Sequence, residues 1–276
     1  MGTMAGLDSR SGTDSRPVSS LASAVNRWMF VCMAAGFVLL TLVGFVPDSL
    51  AKIAAVQAGQ RPPFPPILHV HALFMGAFLL VLLAQATLGA TGNLCYHRRL
   101  GVLGALLVPA IVATGVVLVP TMFHQVWQAA QVAPAKSREA LQGLVLVRLD
   151  ILLLQLRMAL LFPVFMALAL RARATDPAFH KRMMFLAVAI ILPPSIDRIA
   201  WLPTTFPASA VATDLYALLT VAPMFLWDRL QNPAVWKPYV VWIAVNAPLA
   251  AVVHALWGTQ AWHAFALRLM LQSSAS

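Results

Sequence analysis

Six ionisable residues lie inside otherwise apolar stretches of the chain. They are Arg148, Asp150, Arg157, Asp197, Arg198 and Asp214. An unpaired charge at the centre of a membrane helix costs roughly 2.5–3.5 kcal/mol on an insertion scale. Because three of the six are arginines and three are aspartates, we expect them to neutralise one another inside a helix bundle. This intramembrane charge cluster is suited to orienting an anionic substrate or a quinone, or to carrying protons.

Three histidines are predicted at the same end of the apolar stretches as most of these charges. His69 and His71 open the second stretch, and His124 closes the third. The preceding Phe64-Pro65-Pro66 favours an extended backbone, in which residues i and i+2 point the same way. Imidazoles bind copper, zinc and iron. The pattern predicts a transition-metal site of His69, His71 and His124 or one haem b at His71. The alternative is that these histidines are anchors at the membrane surface.

Two prolines, Pro193 and Pro194, interrupt the fifth apolar stretch just before Asp197 and Arg198. Proline lacks the backbone donor that a helix interior needs and clashes with the preceding turn, so we expect the helix to kink or unwind there. Charges placed beside a broken helix resemble the binding sites of transporters. A packing kink held by an Asp–Arg pair is the structural alternative.

The elements that position these residues are predicted to be membrane helices. The 276-residue chain is 61% hydrophobic and 10% charged, with a mean hydropathy of +0.81, which excludes an ordinary soluble domain. A span needs about 20 apolar residues. Seven stretches qualify: 28–46, 67–90, 100–122, 142–170, 182–203, 211–228 and 238–257. Lipid offers no partner to backbone polar groups, so these stretches predict an all-α polytopic membrane helix bundle of about seven transmembrane helices.

The distribution of Lys and Arg predicts the orientation of this bundle. Predicted loops on the side of the N-terminus carry eleven of these cations and the opposite loops carry five, which with the three intramembrane arginines make up all nineteen. Cytoplasmic loops are rich in Lys and Arg, so the N-terminus is predicted to be cytoplasmic. The net charge of +10 then reflects membrane topology, and no nucleic-acid partner is expected.

Three segments are distinguished by composition. Residues 1–26, rich in Ser, Gly and Asp, predict a disordered cytoplasmic tail, and residues 27–257 form the transmembrane domain. Residues 258–276 are too short to span and predict an amphipathic helix at the outer membrane interface. The longest loops, about 47–66 and 123–141, are expected on the outer side.

Several short motifs resemble those of a group of bacterial multi-pass inner-membrane proteins of unassigned activity. Such proteins have a span-opening histidine, an H-R-x-x-G loop and a helix that starts with H-R-x-M. The matching segments here are His69-Val70-His71, His97-Arg98-Arg99-Leu100-Gly101, His180-Lys181-Arg182-Met183 and Asp197-Arg198. The chain is similar more loosely to b-type cytochrome bundles. The resemblance implies a multi-pass location in the bacterial inner (plasma) membrane.

Three functional hypotheses follow from these residues, and whether the protein is an enzyme stays open. The first is a haem- or metal-associated electron-transfer protein with its site in the outer third of the bilayer. In it, His71, His69 and His124 bind the cofactor, and Arg148 and Arg198 orient propionates, a quinone or another small-molecule substrate. The second is a proton-coupled transporter that uses the intramembrane Asp and Arg residues. The third is a structural or assembly subunit.

Overall fold

A computed structural model describes residues 20–272 of the chain, apart from the side chains of residues 20 and 21. Within that range all regular secondary structure is helical, which confirms the predicted all-α class. The nine helices are α1 (Ser20–Gln57), α2 (Pro66–Ala90), α3 (Leu94–Val132), α4 (Ala135–Ala172), α5 (Pro177–Ile191), α6 (Pro193–Ile196), α7 (Val211–Gln231), α8 (Lys237–Leu256) and α9 (Gln260–Gln272).

Five of the helices formed by residues 20–272 are long and apolar enough to cross a bilayer. They are α1 from Ala22 onward, α2, α3, α4 and α8. By their length and composition, these five helices indicate a multi-pass membrane protein. With 15 residues, α5 is about 22 Å long, shorter than the ~30 Å hydrocarbon core. The 21-residue α7 carries Asp214, Asp228 and Arg229, so the count of seven spans stays a prediction.

The helices extend well beyond the predicted apolar stretches. The loops predicted at about 47–66 and 123–141 are mostly helical, because α1 continues to Gln57, α3 to Val132, and α4 begins at Ala135. At 39 residues α3 is about 58 Å long, more than a ~40–45 Å bilayer with its headgroups. Hydropathy identifies only the apolar part of a helix. The helix itself continues into the flanking polar residues, because their backbone groups also form helical hydrogen bonds. The predicted disordered tail lies outside the described residues up to residue 19, and its last residues, 20–26, are helical.

Hydrogen bonds between neighbouring helices show the direction of each one. His71 of α2 bonds Thr114 of α3, and Gln85 of α2 bonds His97 of α3, so these two helices are antiparallel. Other contacts between helices show that α1, α3, α5 and α8 run in one direction. Helices α2, α4 and α7 run in the opposite direction. We call the end where α1 begins side A and the opposite end side B. That side A faces the cytoplasm stays a prediction.

The most deeply buried helix is α5, which packs against α4, α7 and α8. All residues from Phe185 to Ile191 are buried. The rings of Phe30 and Phe37 contact that of Phe185 and hold α1 against α5. The indole N–H of Trp242 donates to the backbone oxygen of Leu186 and ties α8 to the same helix. A helix that is apolar on every side is suited to the centre of a bundle.

The outward surfaces of the long helices are apolar. Leu39 of α1, Leu73 of α2 and Leu106 of α3 are each more than 60% exposed. A soluble monomer rarely exposes large continuous apolar surface, so this surface fits contact with lipid.

The C-terminal helix α9 lies at side B, against α3 and α4. Gly258 precedes it with φ of +71°, a conformation that favours glycine and lets the chain turn back after α8. Trp262, Ala266 and Met270, spaced four residues apart, form its buried face. The predicted helix in the C-terminal segment is confirmed, while its place in the headgroup region stays a prediction.

Candidate functional site

The fifth apolar stretch is broken where the two prolines occur, as predicted. Helix α5 ends at Ile191, and the one-turn α6 follows after Leu192. The approach of α6 to α1 is very close, because a Cβ at Gly44 would lie 2.0 Å from the backbone oxygen of Ser195. Only glycine fits there without movement, so the sequence of α1 positions the break and the charged residues after it.

One pair of the predicted charge cluster forms. Arg157 of α4 donates through both terminal nitrogens to the carboxylate of Asp214 in α7, with Nη1 3.1 Å from Oδ2. His254 of α8 lies 2.9 Å from the same carboxylate. The Arg157 side chain is 5% exposed and that of Asp214 is 20% exposed. These contacts connect three helices in the half of the bundle toward side B.

Asp197 and Arg198 do not pair with each other, so the expected Asp–Arg pair at the kink is wrong. Arg198 bonds Asp48 of α1, with Nε 3.1 Å from Oδ2, and also donates to the backbone oxygen of Pro194. The carboxylate of Asp197 accepts a 2.7 Å hydrogen bond from the Thr213 hydroxyl. Asp197 is exposed, and it forms no salt bridge within residues 20–272. Its carboxylate therefore remains open to a ligand or a proton.

Asp150 anchors the C-terminal helix instead of pairing with an arginine. It accepts a 2.9 Å hydrogen bond from the backbone N–H of Gly258 and lies 2.8 Å from Nε2 of His263. Next to it, the indole of Trp262 donates to the backbone oxygen of Leu149 at 2.8 Å. The buried carboxylate thus has a structural partner at each of two positions in the C-terminal segment.

Arg148 is the exception among the predicted charges. Its guanidinium has neither a hydrogen bond nor an ion pair with the residues that the structure describes, and its Nε is buried. It lines a cavity of about 20 Å³ together with Met122, Gln155 and Met270. A cavity of this size has room for about one water molecule. Arg148 therefore has no protein partner among the described residues.

Most of the expected mutual neutralisation does not occur. Of the six residues, only Arg157 and Asp214 bond each other. The side-chain partners of Arg198 and Asp150 are Asp48 and His263, which both lie outside the predicted apolar stretches. Asp48 and Lys52, four residues apart at the end of α1, were a sign that this helix continues, because such pairs meet on one helix face.

The predicted histidine ligands lie apart. His69 and His71 are both in α2, so the expectation of an extended segment is wrong: Pro65 and Pro66 start a helix here. Two residues along a helix correspond to about 200° of rotation, which directs the two rings to different sides. The exposed His69 ring meets that of Phe64, whereas His71 Nδ1 lies 2.9 Å from the Thr114 hydroxyl.

His124 is also remote from His71. It follows Thr114, the partner of His71, by ten residues, which is about 15 Å along α3. Within residues 20–272 no group of three or more His, Cys, Asp or Glu side chains is arranged to hold a metal ion. The structure does not bring His69, His71 and His124 together, and a haem at His71 stays a prediction.

A second buried polar network, at side A, was not predicted. Arg182 of α5 donates to both carboxylate oxygens of Asp228 of α7 at 2.6 Å. The hydroxyl of Tyr239 and the amide of Asn232 donate to the same carboxylate. Asp228 is 1% exposed and Arg182 7%. The available signal was that Arg182 and Asp228 are end residues of two predicted apolar stretches, 182–203 and 211–228, and have opposite charges.

Two histidines near side A, His97 and His180, form hydrogen bonds with backbone carbonyl groups. His97 donates through Nδ1 to the carbonyl of Gln85 at 3.1 Å, and His180 donates to that of Ala169 at 2.8 Å. Each bond joins consecutive antiparallel helices close to their connecting loop.

No family model, curated protein or solved structure matches the chain. The side chains of the candidate site are therefore the basis for a proposed function, because a fold by itself does not define an activity. The arrangement at side B combines a helix break, an uncommitted carboxylate and an unpaired guanidinium.

Proposed function

We propose that the protein is a proton-coupled carrier of a bacterial inner membrane, with seven spans and its cargo site at side B. The observation that carries the proposal is the position of Asp197. This carboxylate directly follows the helix break and accepts a hydrogen bond from Thr213 without forming a salt bridge among the described residues. Ionisable residues at such positions are used by transporters as proton carriers, and broken helices form their substrate sites.

The other two aspartates are less suited to exchange a proton during transport. Asp214 is held by Arg157 and His254, and removing its charge would leave the buried guanidinium without its carboxylate. Asp150 holds α9 through two contacts. Asp197 alone of the three can change its protonation without breaking an ion pair.

The position of α6 connects Asp197 to the rest of the bundle. This short helix contacts α1, α5 and α7. Its residue Ser195 meets Thr41 of α1 with hydroxyl oxygens 3.4 Å apart. Asp197, which directly follows α6, is therefore linked through this short helix to α1 and α7.

A transport assay with Asp197→Asn tests this function. Inorganic phosphate is the test cargo, because the Arg148 guanidinium, which has no partner among the described residues, matches the oxygens of a phosphate. Purified protein in liposomes loaded with a pH-sensitive dye should acidify the lumen when this anion is added outside, and the variant should lose the response. Asp176→Asn is the matched control, because Asp176 caps α5 through the Phe179 amide and asparagine caps equally well.

Three results are distinguishable. Loss of acidification in a monodisperse Asp197→Asn protein supports the carrier. An unchanged response in that variant contradicts the role of Asp197. If Asp197→Asn fails to fold while Asp176→Asn folds, the structural-subunit hypothesis takes the place of the carrier.

The hypothesis of haem- or metal-linked electron transfer has less support from the geometry, since the three histidines do not converge. An absorption spectrum and metal analysis of protein purified from haem-supplemented cells test it directly. A haem band that is lost in His71→Ala would restore this hypothesis over the carrier.

A further inference from the structure

Two cationic side chains contact one carboxylate at side B, and two further arginines lie near this group. Lys52 Nζ lies 2.5 Å and Arg198 Nε 3.1 Å from the same oxygen of Asp48. Arg148 lies close enough to Asp48, Arg198 and Arg61 for their charges to interact, and Lys52 has the same relation to Arg61. All five side chains are partly buried. We call these five residues the basic cluster.

The basic cluster is not neutral. Four cations and one carboxylate leave three positive charges, and two remain if Asp197, which also interacts with Arg198, is counted. Like charges repel more strongly where water is partly excluded, and burial of a charge without a partner is costly. An anion with about two negative charges would neutralise the basic cluster together with Asp197.

The donors of the basic cluster are available. The Arg148 guanidinium makes no hydrogen bond with described residues, and the buried Nε of Arg61 has no partner there either. The Arg61 guanidinium lies 4.8 Å from the centre of the Phe64 ring, and that of Arg198 lies 4.5 Å from the Phe45 ring. These aromatic faces hold the arginines without using their N–H donors.

The planar fork of arginine matches the oxygens of a phosphate, and lysine adds a point charge. We propose that the basic cluster is a binding site for a phosphate group, at the side-B mouth between α1, α4, the α1–α2 loop and the segment after α6. At neutral pH a phosphate monoester carries about −1.5 to −2, which balances the two positive charges that remain when Asp197 is counted with the cluster, whereas a monocarboxylate leaves one positive charge.

The phosphate belongs either to a small soluble compound or to a lipid headgroup. Its role as cargo rests on the carrier function proposed above, but its binding does not. A binding assay in detergent therefore tests the site separately from transport.

The experiment measures the thermal midpoint of the full-length protein in detergent during titration with inorganic phosphate, against chloride at equal ionic strength. A ligand that binds the folded state raises this midpoint. A parallel titration uses micelles containing phosphatidic acid or phosphatidylcholine. The variants are Arg148→Gln and Arg61→Gln. The control is Arg138→Gln, an exposed arginine of α4 that contacts the backbone of Ala133.

Wild type and Arg138→Gln should respond alike. Each cluster variant should need at least about ten times more ligand to raise the midpoint equally, since a charge-assisted contact is lost.

A response to inorganic phosphate identifies a soluble ligand, and a response to phosphatidic acid alone identifies a lipid. If neither probe raises the wild-type midpoint beyond its control, or if the cluster variants respond as wild type does, the site is refuted. Arg61 lies in a loop, so its variant remains informative if Arg148→Gln does not fold. Binding without lumen acidification refutes the carrier and leaves the phosphate site standing.

Discussion

Replacing Arg182 by glutamine should destabilise the protein more than any exposed charge replacement. The substitution leaves the Asp228 carboxylate, 1% exposed, with hydrogen bonds from Tyr239 and Asn232 but without its counter-ion. Removing one partner of a buried ion pair costs about 3–5 kcal/mol. Since folded domains are stable by only about 5–15 kcal/mol, this loss is a large part of the total.

The neighbouring Lys181 provides a matched control, because it is exposed and takes no part in this network. Lys181→Gln should change the free energy of unfolding by less than about 0.5 kcal/mol. Tyr239→Phe removes one hydrogen bond to a charged group and should cost about 1.5–3 kcal/mol. The order of thermal midpoints in detergent, with monodispersity from size-exclusion chromatography, checks all three values.

A double variant tests whether the cost arises from the unpaired charge. Arg182→Met combined with Asp228→Leu removes both charges, and buried pairs replaced by apolar residues are often neutral in stability. The double variant should therefore be more stable than Arg182→Gln alone. A wild-type thermal midpoint for Arg182→Gln would contradict the role of the ion pair. So would a double variant whose loss of stability equals the sum of the losses in Arg182→Met alone and Asp228→Leu alone.

Two further predictions concern packing at side B. Gly44→Ala should lower stability by about 1–3 kcal/mol because the new methyl group meets the backbone of α6, whereas Gly36→Ala in the same helix has open space and should be neutral or slightly stabilising. A thermal midpoint that is equal in both variants would contradict the close approach. Asp150→Ala should release α9 and speed tryptic cleavage within it, and the exposed Glu139→Ala should not. Equal cleavage rates would show that other contacts hold α9.

The helical class and the multi-pass character could be predicted from composition, because both depend on residues that are close together along the chain. Lipid leaves the backbone no choice except a helix. The break at Pro193 and Pro194 was predictable for the same reason, since proline acts on the turn that contains it. Such properties depend on residues that are neighbours along the chain.

The partners of the charges were not predictable in this way. Arg198 meets Asp48, which is 150 residues away in sequence, and Arg182 meets Asp228 from another helix. Such contacts depend on the rotation and depth of each helix, and hydropathy specifies neither. The equal number of Arg and Asp residues inside the apolar stretches suggested one self-neutralising set, but the bundle divides these charges between unrelated pairs.

The length of the helices had the largest effect on the site. Because α1 continues to Gln57, Asp48 and Lys52 lie on its extension toward side B instead of in a loop. Because α2 already includes His69, the two histidines that were expected to share a metal separate around its axis. The predicted ends of the helices were therefore wrong in a way that altered which side chains share a site, while the predicted helical class was unaffected.

The contrast between the two ends of the bundle supports placing function at side B. At side A, Arg182 and Asp228 satisfy each other with further hydrogen bonds, as expected of groups that stabilise the fold. At side B, Arg148 has no partner among the described residues, and Asp197 accepts only a hydroxyl. A sequence selected for stability alone would replace a partly buried arginine that lacks a partner with an apolar residue. Since proteins break local rules mainly at functional sites, the cations at side B that lack partners among the described residues support the proposed ligand site there.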